Sequence, residues 1–215
     1  MDRDSATGVA TLYYRPGSCA LAPHILLHWT ELAHVAKHAK RDFPDLVAIN
    51  PSGAVPALRT AEGRGLTQAA AIMQHIANRT GRQDLLGGDD SDARDEVSVW
   101  LSFFTGDFHP AFWPYFVPAM YITGQAEDLY PAIKRAGIGL VKNGLAKIDA
   151  HLAERDTFVG RSMTVVDAYS VPMLRWAKNI DGVEFPTFGN AARYYAQLTT
   201  DLGVVAAMRE QGIEP

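Results

Sequence analysis

Short apolar segments alternate with turn residues in the first third of the chain. Residues 11–14 are β-branched and aromatic, and an Arg-Pro-Gly-Ser turn follows at 15–18, which predicts a strand that ends there. Pro23 then falls within a first helical turn, where its missing donor is harmless. The next apolar residues recur about once per helical turn, at Leu21, Ile25, Trp29 and Leu32. The pattern therefore predicts a strand, a turn and a helix.

The following segments predict a loop, a hairpin and a second helix. Residues 34–45 are polar and poorly periodic, and 50–53 contain the Asn-Pro and Ser-Gly pairs that are typical of a loop. Two short apolar segments, 55–58 and 65–67, flank a Glu-Gly-Arg-Gly turn and predict a hairpin. Apolar residues at helical spacing then predict a helix over 69–81.

The composition changes at residues 80–91, which are rich in Gly and Asp and suit a linker between two domains. Beyond this segment helical spacing dominates and strand patterns disappear. We therefore predict an α/β domain at residues 10–81 and an all-α domain at residues 92–215.

An aromatic-rich stretch lies between residues 100 and 121 in the helical half. Pro110, Pro114 and Pro118 stand at four-residue spacing, so we expect the helix to bend or break after about residue 109, with room for an apolar pocket beside it. The alternative is that these rings are core and that His109, which lies among them, is a structural histidine. The candidate pocket residues are Phe108, Phe112, Trp113 and Tyr115.

Residues 164–167 (Thr-Val-Val-Asp) have the pattern of a capping box that opens a helix over residues 168–178. Thr164 takes the cap position and Asp167 closes the box three residues later. This pattern indicates a structural role, so we expect Asp167→Ala to lower the free energy of unfolding by about 1 kcal/mol.

Composition and charge narrow the classes of function. Of the 215 residues 47% are hydrophobic and 20% are charged, which is typical of a globular protein with a core. Twenty Lys and Arg against 24 Asp and Glu, without a long basic run, disfavour nucleic acid as a partner. The polar start of the chain and the lack of an apolar run of about 18 residues argue against a secretory leader or a membrane span and predict a cytoplasmic location. The single cysteine, Cys19, excludes an intramolecular disulfide and a thiolate-based zinc cluster, and we expect no metal site.

Three positions in the first domain are candidates for chemistry. Cys19 lies where a turn gives way to a helix, and the free amides and dipole there favour a thiolate, although a lone cysteine is usually a small buried residue. Pro56 opens an edge strand, and a cis peptide before it would turn the amide and carbonyl of Val55 toward a ligand, whereas a trans peptide is the commoner form. The junction at Gln68 and Ala69 either offers free backbone donors to a carboxylate or simply connects a strand to a helix.

Several segments together resemble the bacterial beta-class glutathione transferases. They are YYRPGSCALAPH at 13–24, AINPSGAVPAL at 48–58, Leu-Thr at 66–67, TVVDAY at 164–169 and Leu-Arg-Trp at 174–176. The resemblance extends from about residue 11 to about residue 212. It implies a thioredoxin-like amino-terminal domain, an all-helical carboxy-terminal domain, glutathione as co-substrate, a homodimer and a cis peptide before Pro56.

The resemblance also implies roles for individual residues. Cys19 matches the cysteine that faces the glutathione sulfur. Val55 matches the residue whose backbone pairs with the cysteinyl unit of the tripeptide. His109 matches the histidine that reaches the same site from the helical domain.

Other positions depart from the pattern of that family. Gln68 and Ala69 stand where the family has an acidic residue and a small hydroxyl or Gly for the γ-glutamyl end, Pro110 replaces a lysine, and Ser102 replaces an asparagine. The lysine supplied by the loop after the second strand has no direct counterpart, and the Lys-Arg pair at 40–41 is the available substitute. Hydrogen bonds to charged groups are worth about 1.5–3 kcal/mol each, so we expect weaker glutathione binding.

The leading hypothesis from the sequence is a glutathione transferase. Glutathione would be held as its thiolate at the helix start by Cys19, with His109 nearby, and would attack an electrophilic carbon of an apolar substrate. Thiol-disulfide exchange through Cys19 is a second activity that the same site allows, and a glutathione-dependent lyase or isomerase fits the same residues. The competing hypothesis is a non-catalytic or altered-ligand member of the family, for which four residues argue: Gln68, Ala69, Ser102 and Pro110.

Overall fold

A mixed four-stranded sheet occupies the first third of the chain in the computed structural model, which describes residues 8–124 and 126–214. Its strands are β1 (Ala10–Tyr14), β2 (His34–His38), β3 (Ala57–Arg59) and β4 (Gly65–Thr67). The strand order is β2-β1-β3-β4, with β1 parallel to β2 and antiparallel to β3, and β3 antiparallel to β4. This arrangement confirms the predicted thioredoxin-like domain.

Three helices complete this domain: α1 (Leu21–Trp29), α2 (Pro44–Val47) and α3 (Ala69–Arg79). The first seven residues of α1 are buried, because the helix is covered by α3 and by helices from the other domain. Burial on all sides fixes the position of this helix, and therefore of the turn that precedes it.

The rest of the described chain is helical, which confirms the predicted all-α domain. The helices are α4 (Ser91–Ser102), α5 (His109–Ala111), α6 (Trp113–Phe116), α7 (Tyr130–His151), α8 (Val165–Lys178), α9 (Gly189–Leu198) and α10 (Leu202–Glu210). Helix α8 is buried along most of its length and packs against both α1 and α4. Across residues 8–124 and 126–214, none of the helices combines the length and the apolar character that crossing a membrane requires.

The structure differs from the sequence prediction between residues 34 and 47. This polar segment, for which no element was predicted, contains β2 and α2. Strand β2 lies at an edge of the sheet, and none of its side chains is fully buried, so no apolar alternation marks it. The segment predicted as a linker also contains regular structure, a 3-10 helix at Gln83–Leu86 whose Leu85 is buried.

The aromatic-rich stretch breaks where the proline spacing predicts. Pro110 and Pro114 lie in the first turns of α5 and α6, where a proline leaves no helical hydrogen bond unmade. Between α4 and α5 the backbone forms a π-helix, Phe103–Phe108, which the sequence pattern did not predict. Such wide turns are frequent at functional sites.

Asp167 has more partners than a capping box requires. The Thr164 amide donates to Oδ2 at 2.7 Å and its hydroxyl does so at 2.8 Å, which confirms the box, although α8 begins at Val165 rather than at residue 168. Oδ1 accepts from the Phe158 amide at 3.0 Å and from the Tyr194 hydroxyl. Asp167 is fully buried, so its removal would leave all these donors without an acceptor. We therefore expect a loss larger than the value of about 1 kcal/mol that the cap alone predicts.

Candidate active site

A cavity of about 610 Å³ lies between the two domains, where the start of α1, the loop before β3 and the start of α3 face the π-helix and α8. Its volume is in the range of small-molecule sites. The peptide before Pro56, at the base of the cavity, is cis, as the resemblance implied. The predicted site residues that line the cavity are Cys19, Val55, Pro56, Gln68, Ala69, His109 and Trp113.

The turn before α1 is held in place by the carboxy-terminal domain. The Trp176 indole donates to the Gly17 carbonyl at 2.7 Å, and the Gly17 amide donates to Gln211 Oε1 at 3.1 Å. Gly17 has a φ of 68°, and a side chain there would be strained and would meet Arg175. The Ser18 hydroxyl closes the turn by donating to the Arg15 carbonyl at 2.8 Å. The position of Cys19 therefore depends on residues almost 200 positions later in the sequence.

The Cys19 thiol lies beside a backbone carbonyl oxygen, and its burial disfavours ionisation. Its Sγ lies 3.7 Å from the Val55 carbonyl oxygen, to which the S–H donates. Burial raises the pKa of the thiol to about 12, and the amide of Cys19 itself only partly opposes this effect. Burial of the sulfur therefore opposes the thiolate that the helix start was expected to favour.

His109 is a neutral side chain on the opposite wall of the cavity. Its Nδ1 lies 2.9 Å from the Tyr169 hydroxyl, and burial lowers the pKa of the imidazole to about 4. Burial also raises the pKa of Tyr169, with a further rise from Cys19, so the phenol keeps its proton. When Tyr169 donates to Nδ1, the proton of the ring is on Nε2, which is then a hydrogen-bond donor.

The start of α3 presents backbone amides to the same cavity. Gln68 precedes the helix with a φ of 68°, which is uncommon for a residue with a side chain and is typical of strained positions at binding sites. The first helical hydrogen bond runs from the Ile72 amide to the Gln68 carbonyl at 3.0 Å. The amides of residues 69–71 precede that bond, and these residues line the cavity.

The cavity is uncharged. Within residues 8–124 and 126–214, every side chain that lines it is neutral at neutral pH, His109 included. Lys40 and Arg41, the cations considered as substitutes, are not among the lining residues. The Arg41 Nε donates instead to the Ser52 carbonyl at 3.1 Å, and so supports the loop that carries Val55.

Four predicted site residues do not line this cavity, and three of them, Phe108, Tyr115 and Ser102, lie away from it. The Phe108 ring lies against Gly144 of α7, and Tyr115 lies beneath the Lys134 ammonium, 5.6 Å from it, on the same side. Phe108 precedes His109 by one residue, so its side chain points about 100° away from that of His109 around the helix axis. Tyr115 follows Trp113 by two residues, so its side chain points about 200° away from that of Trp113. Ser102 is exposed at the end of α4.

A smaller apolar cavity of about 160 Å³ adjoins the first and shares His109 and Trp113 with it. Phe112, the remaining predicted pocket residue, lies here. The Trp176 ring lies 5.0 Å from that of His109, measured between centroids, and closes one side. This cavity is lined by His109, Phe112, Trp113, Phe116, Val117 and Trp176.

Sequence reasoning missed four polar residues of the main cavity: Asn50, Gln74, Thr105 and Tyr169. Tyr169 stands two residues after the capping box, in a motif to which we had given only a structural role. Thr105 reaches the cavity because it lies in the π-helix, and periodicity of 3.6 residues per turn cannot place it.

The fold and site define a two-domain protein with a thioredoxin-like domain whose cysteine faces an interdomain cavity. A family profile described as "Glutathione S-transferase, N-terminal domain" matches residues 17–79. A glutathione S-transferase of Xanthomonas campestris pv. campestris is 33% identical over 205 residues, which are 94% of this chain and 98% of the relative.

Solved structures give the same result. A bacterial beta-class glutathione S-transferase of Sphingomonas chungbukensis superposes with a TM-score of 0.83 at 31% identity, covering 95% of this chain and 100% of the other. A sphingomonad glutathione S-transferase complexed with glutathione has a TM-score of 0.83 at 32% identity, with the same coverage. The chain therefore belongs to the glutathione S-transferase family, and is an enzyme of the bacterial beta-class type.

Proposed function

We propose that the chain conjugates glutathione to an apolar electrophile, with the glutathione sulfur placed between Cys19 and His109. The observation that carries the proposal is the convergence of the Cys19 thiol and the His109 imidazole on one cavity at a helix start. The sphingomonad relative solved with glutathione supports this choice of ligand.

Cys19 acts as a hydrogen-bond donor in this proposal and not as a nucleophile. A thiol with a pKa of about 12 keeps its proton at neutral pH. When glutathione binds, the S–H turns from the Val55 carbonyl to the glutathione sulfur. The Val55 carbonyl is then free to accept from the amide of the cysteinyl unit, so the exchange of partners costs no unsatisfied group.

His109 stabilises the same sulfur anion from the helical domain. A neutral imidazole that receives a hydrogen bond at Nδ1 from Tyr169 offers its Nε2–H to the cavity. Preorganised donors in a site sheltered from water stabilise a developing or existing anion more strongly than water does. Tyr169 is thus a positioning residue for His109.

The smaller apolar cavity is our candidate for the electrophile site. It opens beside His109, and its rings offer apolar contact without specific polar recognition. The glutathione thiolate attacks the electrophilic carbon there, so that a carbon–sulfur bond forms as the leaving group departs with its electron pair. We assign Phe112 and Trp113 to this site and no longer assign Phe108 or Tyr115 to it.

Thiol-disulfide exchange through Cys19 is a slower, secondary activity in this proposal. Only the thiolate attacks a disulfide, and the raised pKa of Cys19 leaves little thiolate at neutral pH. Conjugation needs no ionisation of Cys19, so the same pKa favours it.

An altered-ligand protein is the second candidate, and the uncharged cavity favours it. Glutathione carries an ammonium and two carboxylates, yet the cavity lining in the described part of the chain offers no charge to any of them. Gln68 can accept from the ammonium only as a neutral amide. A ligand with an apolar body and fewer charges fits this lining better than glutathione does.

We also propose that the protein is located in a reducing, cytoplasmic compartment and that residues 80–91 separate its two domains.

We propose that the protein is a homodimer. Tyr121 and Leu140 are about half exposed, at 52% and 50%, and line an open second cavity of about 630 Å³. Apolar surface of this kind marks protein interfaces. Analytical ultracentrifugation is expected to give twice the mass of 23.5 kDa.

Calorimetric titration with glutathione tests the proposal. Wild type and Cys19→Ser are expected to bind, because Ser keeps a donor at this position, whereas Cys19→Ala is expected to bind at least tenfold more weakly. Turnover of a chlorinated aromatic substrate with glutathione then separates the candidates. Absence of binding at millimolar glutathione would favour the altered-ligand protein.

A further inference from the structure

Four side chains with metal-binding atoms meet at the far end of α1, away from the cavity. His24 and His28 lie four residues apart on one face of α1, His34 begins β2, and Glu210 ends α10. One ligating atom of each lies within 4.8 Å of the others. These three histidines are from a total of seven in the chain, and we call the four residues the histidine cluster.

His34 is held in the form that a metal ligand needs. Its Nδ1 lies 2.8 Å from the Leu32 carbonyl oxygen, so this nitrogen carries the proton and donates it. The other ring nitrogen, Nε2, therefore keeps a free lone pair. Metal-binding histidines usually have this second contact, which fixes both the ring orientation and the tautomer.

His28 brings a second imidazole nitrogen beside the Glu210 carboxylate. Among the described residues its Nε2 is buried without a hydrogen-bond partner, although it lies 3.4 Å from Glu210 Oε1. Ligand atoms around a tetrahedral zinc ion are separated by about 3.3 Å, given bonds of about 2.0–2.1 Å. The nitrogen and the carboxylate oxygen are thus spaced as two ligands of one ion.

His24 has a different role, because its tautomer is fixed the other way. The Gln211 amide nitrogen donates to Nδ1 of His24 at 3.1 Å, and Gln211 is oriented by the Gly17 amide on its oxygen. The His24 proton is therefore on Nε2, which donates to Glu210 Oε2 at 2.9 Å. His24 holds the carboxylate in place and leaves Oε1 toward His28.

We propose that His28, His34 and Glu210 bind a divalent transition metal ion of the zinc class, with His24 positioning Glu210. Two imidazoles and one carboxylate suit zinc and leave one coordination position for water. The Glu210 side chain is 47% exposed and that of His28 is 21% exposed, so the ion has access from solvent.

The bound ion would tie three parts of the fold together. Its ligands come from α1, β2 and α10, so it connects the last helix of the chain to the amino-terminal domain. His28 follows Cys19 by nine residues, a rise of about 13 Å along a helix axis, and no residue of the histidine cluster is among those that line the glutathione cavity. We therefore expect the ion to stabilise the fold without taking part in the transfer reaction.

Calorimetric titration of the untagged, chelator-treated protein with Zn²⁺ tests the inference. Wild type is expected to bind one equivalent at micromolar concentration, with an increase of several degrees in melting temperature. His28→Gln and His34→Gln are each expected to weaken binding at least tenfold and to remove the thermal shift. Glu210→Gln is expected to weaken zinc binding and remove the thermal shift in the same way. Because this change is nearly isosteric and affects an exposed side chain, a loss of binding in this variant is not explained by misfolding.

Two control variants identify where the ion binds. His75→Gln removes a histidine of α3 outside the histidine cluster, and Cys19→Ala removes the only thiol; both are expected to keep full zinc affinity. The inference is overturned if wild type binds no zinc at micromolar concentration. It is equally overturned if binding survives His28→Gln and His34→Gln, or if it is lost in Cys19→Ala.

Discussion

The two ends of α1 are suited to ligands of opposite charge. At its start, a neutral thiol and backbone amides face a cavity without charged side chains, and the neutral imidazole of His109 faces them. At its end, the exposed Glu210 carboxylate and the His28 Nε2 of the histidine cluster lie 3.4 Å apart. The first arrangement suits an anion that arrives with its ligand, and the second suits a cation. The comparison shows that one buried helix can present its backbone at one end and its side chains at the other.

The largest expected effect is a loss of stability at Asp167, which lies outside both ends of α1 and serves as the reference for a purely structural change. Asp167→Ala is expected to lower the free energy of unfolding by about 3 kcal/mol, because buried donors of Phe158, Thr164 and Tyr194 lose their acceptor. Urea denaturation measures this loss. Asp156→Ala, at an exposed ion pair with Arg193, is the control and is expected to change stability by less than about 1 kcal/mol. A loss below about 1 kcal/mol for Asp167→Ala would show that only the helix cap contributes to stability.

Removal of the His109 donor, which faces the start of α1 across the cavity, is expected to affect catalysis and not stability. His109→Ala should lower kcat/KM about 100-fold, because one preorganised donor to the sulfur anion is lost. His28→Gln, at the other end of the helix, should leave kcat/KM within about twofold. Steady-state kinetics with glutathione measure both variants. Equal losses would mean that the two ends do not differ in function.

The fold could be predicted wherever burial creates a periodic pattern. Helix α1 and the hairpin of β3 and β4 were predicted because their apolar residues repeat at the spacing of the element. Strand β2 was missed because an edge strand with exposed side chains has no such pattern. The π-helix was missed because its wider turn has no distinct propensity.

The site could be predicted only where a local motif carries it. Cys19 and Val55 follow from turn motifs, whereas the contact of Trp176 with Gly17 joins residues 159 positions apart. The raised pKa of Cys19 depends on burial of the thiol in the folded chain, which the sequence does not show. The histidine cluster was missed because His34 and Glu210, which are far apart in the sequence, meet only in the folded chain.

The reactivity of Cys19 tests the electrostatics at the start of α1. Burial raises the pKa of the thiol to about 12, so alkylation by iodoacetamide should still rise with pH from 7 to 10 without a plateau. The urea-unfolded protein, with a pKa near ~8.5, should approach its plateau within this range. Since the folded pKa is the higher one, this shift also makes the folded state less stable as pH rises above the unfolded value. A plateau near pH 7 in the folded protein would contradict the proposed protonation state.

The smallest expected effect is a change in glutathione affinity when a negative charge is added to the uncharged cavity. Gln68→Glu should tighten glutathione binding about tenfold, because a charged acceptor replaces a neutral one opposite the ammonium group. Gln74→Glu places the same charge elsewhere in the cavity lining and should give a smaller change. Calorimetry measures both affinities. Equal changes would mean that Gln68 does not face the ammonium.

The central claim is that two neutral donors, Cys19 at the start of α1 and His109 across the cavity, favour the ionised sulfur of bound glutathione. Ultraviolet difference spectroscopy of the thiolate, recorded across pH with glutathione bound, measures this directly. We expect the pKa of the bound thiol to fall at least one unit below ~8.5 in wild type, and to return toward that value in His109→Ala. A bound glutathione whose thiol keeps its solution pKa in wild type would contradict the account.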